Sequence, residues 1–498
     1  MVRLTGTEAD TAVIREAGEA LRRGELVAFP TETVYGLGGN GLDAASSAKI
    51  YAAKGRPSDN PLILHIAERE ELAPLVTEIP PAAKVLADRF WPGPMTLIFR
   101  KSALVPKETT GGLDTVAVRM PSHPAARALI RAAGVPVAAP SANLSGRPSP
   151  TEADRVREDL DGRIAWILDG GPSEIGLEST IIDLTGPAPV VLRPGYIGLS
   201  ALRELFPEAS LDPAVSAPPR EDLRPKAPGM KYRHYAPKGR MTLVKGSPEA
   251  AAVYIRREAL ALRAQGKKPG VLCGEESEGR YEGLLTVSLG KTEGGAEPAH
   301  RLYEALRRMD DLGVTDIFSE CFDGGPLGEA LMNRLTKAAG YHIVQAEEET
   351  KMIAIGCDHG GFELKQEILR HLEKRGLAYR DFGCYGTASC DYPVYGRAVA
   401  EAVAGGECER GILICGTGIG ISITANKVKG IRAALCTDCF MAEATRLHND
   451  ANILALGGRV VGPGLALKIV DTFLDTPFSG EERHVRRISQ IEPEEADE

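Results

Sequence analysis

Apolar residues in the first part of the chain gather into short runs at 25–29, 95–99, 115–118, 135–139 and 179–184, separated by amphipathic stretches such as 10–23. Short apolar runs alternating with helical periods predict an α/β fold. The pattern stops between 207 and 239, where Pro and charge dominate without a sustained period, and that stretch reads as an extended connector. Strand and helix signals return over 241–347, with apolar runs at 242–244, 270–273 and 316–319 and a helical stretch around 299–312. A charged joint at 347–351 follows. The run 352–357 then opens a third segment, continued by runs at 411–415 and 433–436 with helical periods between them. This last arrangement predicts a doubly wound parallel sheet, which places ligands at the carboxyl ends of its strands. The expected organisation is three α/β domains, 1–205, 241–347 and 351–498, with a linker at 206–240 and a solvated acidic end at 492–498. No short-period repeat is present.

Length agrees with several domains, because 498 residues exceed what one hydrophobic core sustains. A hydrophobic content of 43% with 26% charged residues excludes wholesale disorder. The uncharged stretch 411–426 is broken by Gly and shorter than the ~20 apolar residues of a membrane span, and residues 1–10 hold no apolar signal core. A soluble, cytoplasmic protein without membrane contact is expected. The net charge of −9 is uneven: residues 1–240 carry 29 Lys and Arg against 29 Asp and Glu, leaving 30 against 39 for 241–498. That excludes a uniformly basic nucleic-acid coat. Within the linker, 226–240 nevertheless holds five Lys and Arg and no acid. None of the nine Cys lies in 1–240 and seven lie in the last third; the odd number and unrepeated spacing predict reduced thiols. Cys436 and Cys439 form a C-x-x-C without a second pair or a His at zinc spacing, so they read as core or loop.

Polar clusters sit at the ends of apolar runs throughout 30–195. They are Pro-Thr-Glu-Thr-Val-Tyr-Gly-Leu-Gly at 30–38, Lys-Gly-Arg-Pro at 54–57 ahead of Asn60 and His65, and Thr115 with Arg119. Ser-Ala-Asn at 141–143 with Ser149, Glu-Ser-Thr at 178–180 and Leu-Arg-Pro-Gly at 192–195 complete the set. Singly, Ser141 and Ser149 read as turn or cap residues and Arg56 as a solvated charge. Together, in this order, they resemble the threonylcarbamoyl-AMP synthase family over about residues 5–200. The resemblance implies a twisted mixed sheet and the first step of threonylcarbamoylation of tRNA adenosine, with tRNA-modification proteins downstream. L-threonine and bicarbonate would give a carbamate whose oxygen attacks the α-phosphorus of ATP and expels pyrophosphate. Thr33, His65, Arg119 and Ser179 would then contact threonine, and Arg56, Asn60, Thr115, Ala139, Ser141, Ser149 and Arg193 would contact ATP. Cationic Lys54, Arg56 and Arg193 suit triphosphate charge, while Ser141, Asn143 and Ser149 add hydrogen bonds and Arg119 suits a carboxylate. Mg2+ is expected with the ATP substrate, and no carboxylate cluster identifies a protein ligand for it.

The linker sequence Pro-Gly-Met-Lys-Tyr-Arg-His-Tyr-Ala-Pro at 228–237 resembles that of the longer synthases. Composition alone makes it a solvated tether. As a lid, Tyr235 and its basic neighbours would fold over the ATP site and keep water from a hydrolysis-prone carbamoyl adenylate. Residues 241–347, with Leu-Met-Asn-Arg-Leu-Thr-Lys at 331–337, resemble the small Rossmann-like carboxy-terminal domain of those synthases. They carry no recognisable catalytic set, and a structural or regulatory role is expected.

In the last segment, Cys-Gly-Thr-Gly-Ile-Gly-Ile-Ser at 415–422 follows an apolar run and leads into a helix, an arrangement whose backbone N–H groups can hold an anion. Gly416, Gly418 and Gly420 lack dinucleotide-fingerprint spacing. With Asp-His-Gly-Gly at 358–361, Asp-Tyr-Pro at 391–393, His-Asn-Asp-Ala-Asn at 448–452 and Arg-His-Val-Arg-Arg at 483–487, this run resembles the ribose-5-phosphate isomerase B family over about 351–490. The resemblance implies proton transfer between C1 and C2 of an open-chain sugar phosphate through an enediolate, interconverting ribose 5-phosphate and ribulose 5-phosphate in the pentose phosphate pathway. It implies no cofactor, and a homodimer at least, with the site between subunits. Cys415 would be the base, helped by Thr417, and the 416–420 amides would stabilise the enediolate. His448 with Asp358 would assist ring opening, and Asn449 and Tyr392 would contact the sugar. His359, Arg483 and Arg487 would grip the phosphate. Another sugar phosphate, such as galactose 6-phosphate, fits the same motifs. The expectation is a bifunctional enzyme; the competing reading is an RNA- or nucleotide-binding protein with one catalytically silent half.

Overall fold

The computed structural model describes residues 1–6, 9–215, 217, 225–228, 230, 234–292, 296–322, 324–325, 327–346 and 352–491. The joint at 347–351, the acidic end at 492–498 and linker positions 229 and 231–233 lie outside the described residues. The chain forms two compact units, Met1–Glu348 and Glu349–Glu498.

The first unit contains a mixed sheet of eleven strands. Its order is Val2–Arg3, Trp166–Asp169, Val27–Phe29, Gly36–Asn40, Val137–Ala138, Ile63–His65, Thr115–Arg119, Met95–Arg100, Thr180–Asp183, Val190–Arg193 and Ser210–Leu211. The apolar runs read from the sequence appear here as strands, but Gly36–Asn40 falls inside a stretch read as a polar cluster. Glycine weakens a strand; here closeness demands it, since a Cβ on Gly38 would lie 2.9 Å from both Phe29 and Val137. The same unit carries a parallel five-stranded sheet ordered Leu285–Ser288, Pro269–Cys273, Asp316–Glu320, Arg240–Lys245 and Ile343–Gln345. Its core takes in Val34 and Leu177 of the first sheet region and Tyr235 of the linker. Shared apolar burial therefore joins the regions on either side of the linker.

The second unit is a parallel sheet ordered Tyr379–Asp381, Ile353–Cys357, Arg410–Cys415, Ile453–Gly457 and Ala433–Leu435, with helices between strands. From Ile353–Cys357 the chain continues to one side, and from Arg410–Cys415 to the other, which makes their carboxyl ends the switch point of a doubly wound sheet. No helix among the described residues is long and apolar enough to cross a membrane.

Candidate active sites

The first cleft is built by caps and strand ends. Helix Ala44–Lys54 starts on Asp43, whose carboxylate accepts from the Ala45 and Ser46 N–H groups at 3.0 and 3.2 Å, and it ends on Gly55 at φ +62°. That left-handed cap favours glycine. The buried Lys54 ammonium donates to the carbonyls of Ser141 and Asn143, clamping the Ser-Ala-Asn turn; burial, then Arg56, holds it well below the ordinary lysine range. Arg56 donates to the carbonyls of Asn60 and Pro61 at 3.2 and 3.0 Å. Burial pulls its guanidinium down to about 10, which leaves it cationic at neutral pH.

Parallel pairing of Ile63–His65 with Thr115–Arg119 sets His65 beside Arg119. Arg119 pairs with Glu32 at 2.7 Å, both side chains buried. Burial raises the Glu32 carboxyl, but the Arg119 ion pair outweighs it and the group ends below its ordinary value. His65 Nδ1 donates to the Ile63 carbonyl at 3.1 Å, so Nε2 is the acceptor; burial, with Arg119, pushes the ring down to about 3 and keeps it neutral. Ser179 Oγ lies 2.7 Å from Thr96 Oγ1 and accepts from Arg193 at 3.1 Å. Thr33 Oγ1 sits 2.9 Å from Thr31 Oγ1.

Three described linker residues, Pro228, His234 and Tyr235, belong to the cleft wall. They leave a cavity of about 60 Å³, room for a few waters. Tyr235 adopts φ +63° and stacks on Tyr303 at 5.4 Å between centroids, with the Arg334 guanidinium 5.5 Å from its ring centre. Behind it, Glu178 accepts from Ser149 Oγ (2.6 Å), Tyr303 (2.7 Å) and Arg334 Nε (2.8 Å). Burial raises Glu178, while Arg334 and Arg193 lower it more, to about 2.

In the second unit Asp358 and His359 follow one switch-point strand, and Cys415 ends the other with Gly416 just after it. Cys415 is buried, and its Sγ accepts the Gly418 N–H at 3.1 Å. Gly418 has φ +78°, and a Cβ there would meet Leu435 at 2.5 Å, so the loop requires glycine. Thr417 Oγ1 accepts the Ile419 N–H at 3.3 Å. Asp358 accepts the Gly361 N–H at 3.1 Å, and a Cβ on Gly360 would lie 3.1 Å from Gly416, so the two loops touch. Tyr392 packs on Gly420, where a Cβ would lie 2.6 Å from its ring. A second group lies elsewhere in the unit. His448 stacks on His484 at 4.5 Å and 8°, beside Asn449, and Arg483 pairs with Glu481 at 2.7 Å, one turn before Arg487. Burial, then His448 and Arg483, lowers His484. Among the described residues no hydrogen bond, ion pair or ring contact joins this group to the Cys415 group.

A family model described as "Telomere recombination" matches residues 19–195, and one described as "Threonylcarbamoyl-AMP synthase, C-terminal domain" matches 197–340. The threonylcarbamoyl-AMP synthase of Pyrococcus abyssi is 49% identical over 332 residues, 67% of this chain and 95% of that protein. The chain belongs to the threonylcarbamoyl-AMP synthase family. The crystal structure of P. abyssi Sua5 complexed with L-threonine matches with a TM-score of 0.65 at 48% identity, covering 70% of this chain and 98% of that one. A "Ribose/Galactose Isomerase" model matches residues 353–491, and ribose-5-phosphate isomerase B of Escherichia coli is 53% identical over 141 residues, 28% of this chain and 94% of that protein. The chain is thus an enzyme with a nucleotidyltransferase part and an isomerase part.

In the synthase part the cavity is lined by Thr33, His65, Arg119 and Ser179 together with Arg56, Ala139, Ser141, Arg193 and Tyr235. Lys54, Asn60, Thr115, Asn143 and Ser149 stand outside its lining. Sequence reasoning passed over Glu178, Tyr303 and Arg334. Glu178 lies in the quoted Glu-Ser-Thr cluster and Arg334 in the quoted Leu-Met-Asn-Arg-Leu-Thr-Lys run, so their motifs were visible but their meeting was not. In the isomerase part His484 was passed over beside Arg483. Among the described residues no group of three or more His, Cys, Asp or Glu is placed to hold a metal ion.

Proposed function

We propose that the synthase part joins L-threonine, bicarbonate and ATP into threonylcarbamoyl-AMP and pyrophosphate for modification of tRNA adenosine. The isomerase part, in this reading, interconverts ribose 5-phosphate and ribulose 5-phosphate. The observation that carries the first half is one cavity lined by the cations Arg56, Arg119 and Arg193 together with the neutral His65 and Ser179, the last held by Arg193 and Thr96. Arg119 takes the threonine carboxylate, and His65 Nε2 accepts a hydrogen bond from threonine without adding charge. Arg56 and Arg193 neutralise the polyphosphate, and Ser141 adds a hydrogen bond. With the carbamate oxygen held in line with the α-phosphorus, catalysis is by positioning and by stabilising the departing pyrophosphate. Mg2+ enters on the nucleotide, since Glu32 is engaged by Arg119 and Glu178 by Arg334. His234 and Tyr235 keep water from the adenylate. The test is pyrophosphate release: it should need threonine, bicarbonate and ATP together, and release without threonine would sink the reading.

For the isomerase, Cys415 at the switch point moves the proton, with the 416–420 amides facing the enediolate. A homodimer completes the site, because one chain leaves His448, Asn449, Arg483 and Arg487 apart from Cys415. Ile419, Ile423, Phe440 and Val460, all in segments that follow strand ends, are exposed apolar side chains available for such a dimer to cover. Turnover of ribose 5-phosphate against galactose 6-phosphate identifies the sugar, and a monomer in sedimentation with full turnover would refute the shared site. The nine free thiols suit the cytoplasm.

A further inference from the structure

The isomerase part contains a buried cation that its chemistry does not use. Lys365, on helix Phe362–Lys374, is fully buried, and its ammonium donates to both carboxylate oxygens of Asp381 at 2.7 and 2.8 Å and to the Cys384 carbonyl at 2.8 Å. Asp381 ends the edge strand Tyr379–Asp381, and its carboxylate also accepts the Gly383 N–H at 2.9 Å. Its carbonyl takes the Tyr385 hydroxyl, again at 2.9 Å. Gly383 sits at φ +95° with no room for a Cβ, which would lie 2.8 Å from Tyr395. The segment leaving the edge strand is therefore tied down at its start.

Its far end reaches the candidate site. The backbone N–H of Cys390 donates to His359 Nδ1 at 3.2 Å. A backbone N–H cannot accept, so Nδ1 is bare and the proton of the neutral ring sits on Nε2. A buried ion pair gains little net stability over an apolar pair of the same volume. A loop held in one conformation, however, is what a single His359 tautomer requires.

We propose that Lys365 and Asp381 are positioning residues of the sugar-phosphate site, holding the 382–391 loop so that Cys390 presents His359 with its Nε2–H as donor to the phosphate. This rests on the isomerase reading. Lys365 acts through the Cys384 carbonyl and Asp381 through the Gly383 N–H; the proton-transfer machinery at Cys415 is untouched.

The experiment uses the full chain with 15N-labelled histidine, the His359 signal being assigned by its loss in His359→Asn. The variants are the double replacement Lys365→Met with Asp381→Asn, which leaves no buried charge unpaired, and Cys390→Pro, which removes the N–H itself. Lys374→Met, on the exposed face of the same helix, is the control. At a pH where the ring is neutral, wild type should show the Nε2–H tautomer and both test variants a mixture. KM for ribose 5-phosphate should rise about tenfold or more, the scale of a hydrogen bond to a charged group, with kcat within about twofold. A wild-type tautomer and KM in either folded variant overturns the proposal, as does an Nδ1–H tautomer in wild type. If the tautomers respond as expected while wild type leaves ribose 5-phosphate unchanged, the substrate reading fails and the positioning role stands.

Discussion

Replacing Arg334 by Met withdraws the cation from a pair in which Arg334 is fully buried and Glu178 is 8% exposed. Breaking a buried pair from one side costs about 3–5 kcal/mol, and here it leaves the carboxylate with Arg193 as its remaining nearby cation. Glu178 keeps its bonds from Ser149 and Tyr303, which argues for the lower end. The pH dependence gives a second signature. In the native chain Glu178 lies at about 2 against an ordinary 4.5, so the pair contributes stability that is present above pH ~4.5 and lost as pH falls towards 2. Without Arg334, burial acts to raise this carboxyl with Arg193 as the remaining opposing charge, and protonation then relieves the variant in acid. The stability loss should be full at pH 7 and smaller at pH 4. Both tryptophans, Trp91 and Trp166, belong to the first unit, so urea unfolding followed by tryptophan fluorescence on the full chain reports that unit. Adding Glu178→Gln to Arg334→Met should recover much of the loss. A loss below about 1 kcal/mol, or one equal at pH 7 and pH 4, would refute the account.

Arg56→Ala should abolish adenylate formation measured as pyrophosphate release yet leave sugar-phosphate isomerisation intact, because the two sites lie in separate compact units. Tyr235→Ala should increase loss of the carbamoyl adenylate to water, read as AMP formed per transferred threonylcarbamoyl group, more than it weakens ATP binding by calorimetry. Cys415→Ala should lower isomerisation ~10²- to 10⁴-fold while a sugar-phosphate inhibitor still binds, and Arg487→Ala should chiefly raise KM.

The sequence by itself determined the α/β alternation, because strands and helices advertise their periods locally, and it placed the polar clusters at strand ends. It also supplied glycine where the backbone turns left-handed: Gly55 ends its helix in that conformation, and Gly418 combines it with a site that has no room for a Cβ. Tertiary structure decided what those motifs face. Lys54, expected on the triphosphate, turns into the carbonyls of Ser141 and Asn143 because Gly55 ends its helix beside that turn. Gly36–Asn40 became a strand through close packing on Phe29 and Val137, against its composition. Glu178 and Arg334 meet across 156 residues. No local period encodes such a contact, which depends on how two sheets pack around the linker. Likewise the sequence set Cys415 and His448 in one family pattern, and only the fold showed them in separate groups of one chain, since strand order, not spacing, fixes which loops share an end of the sheet.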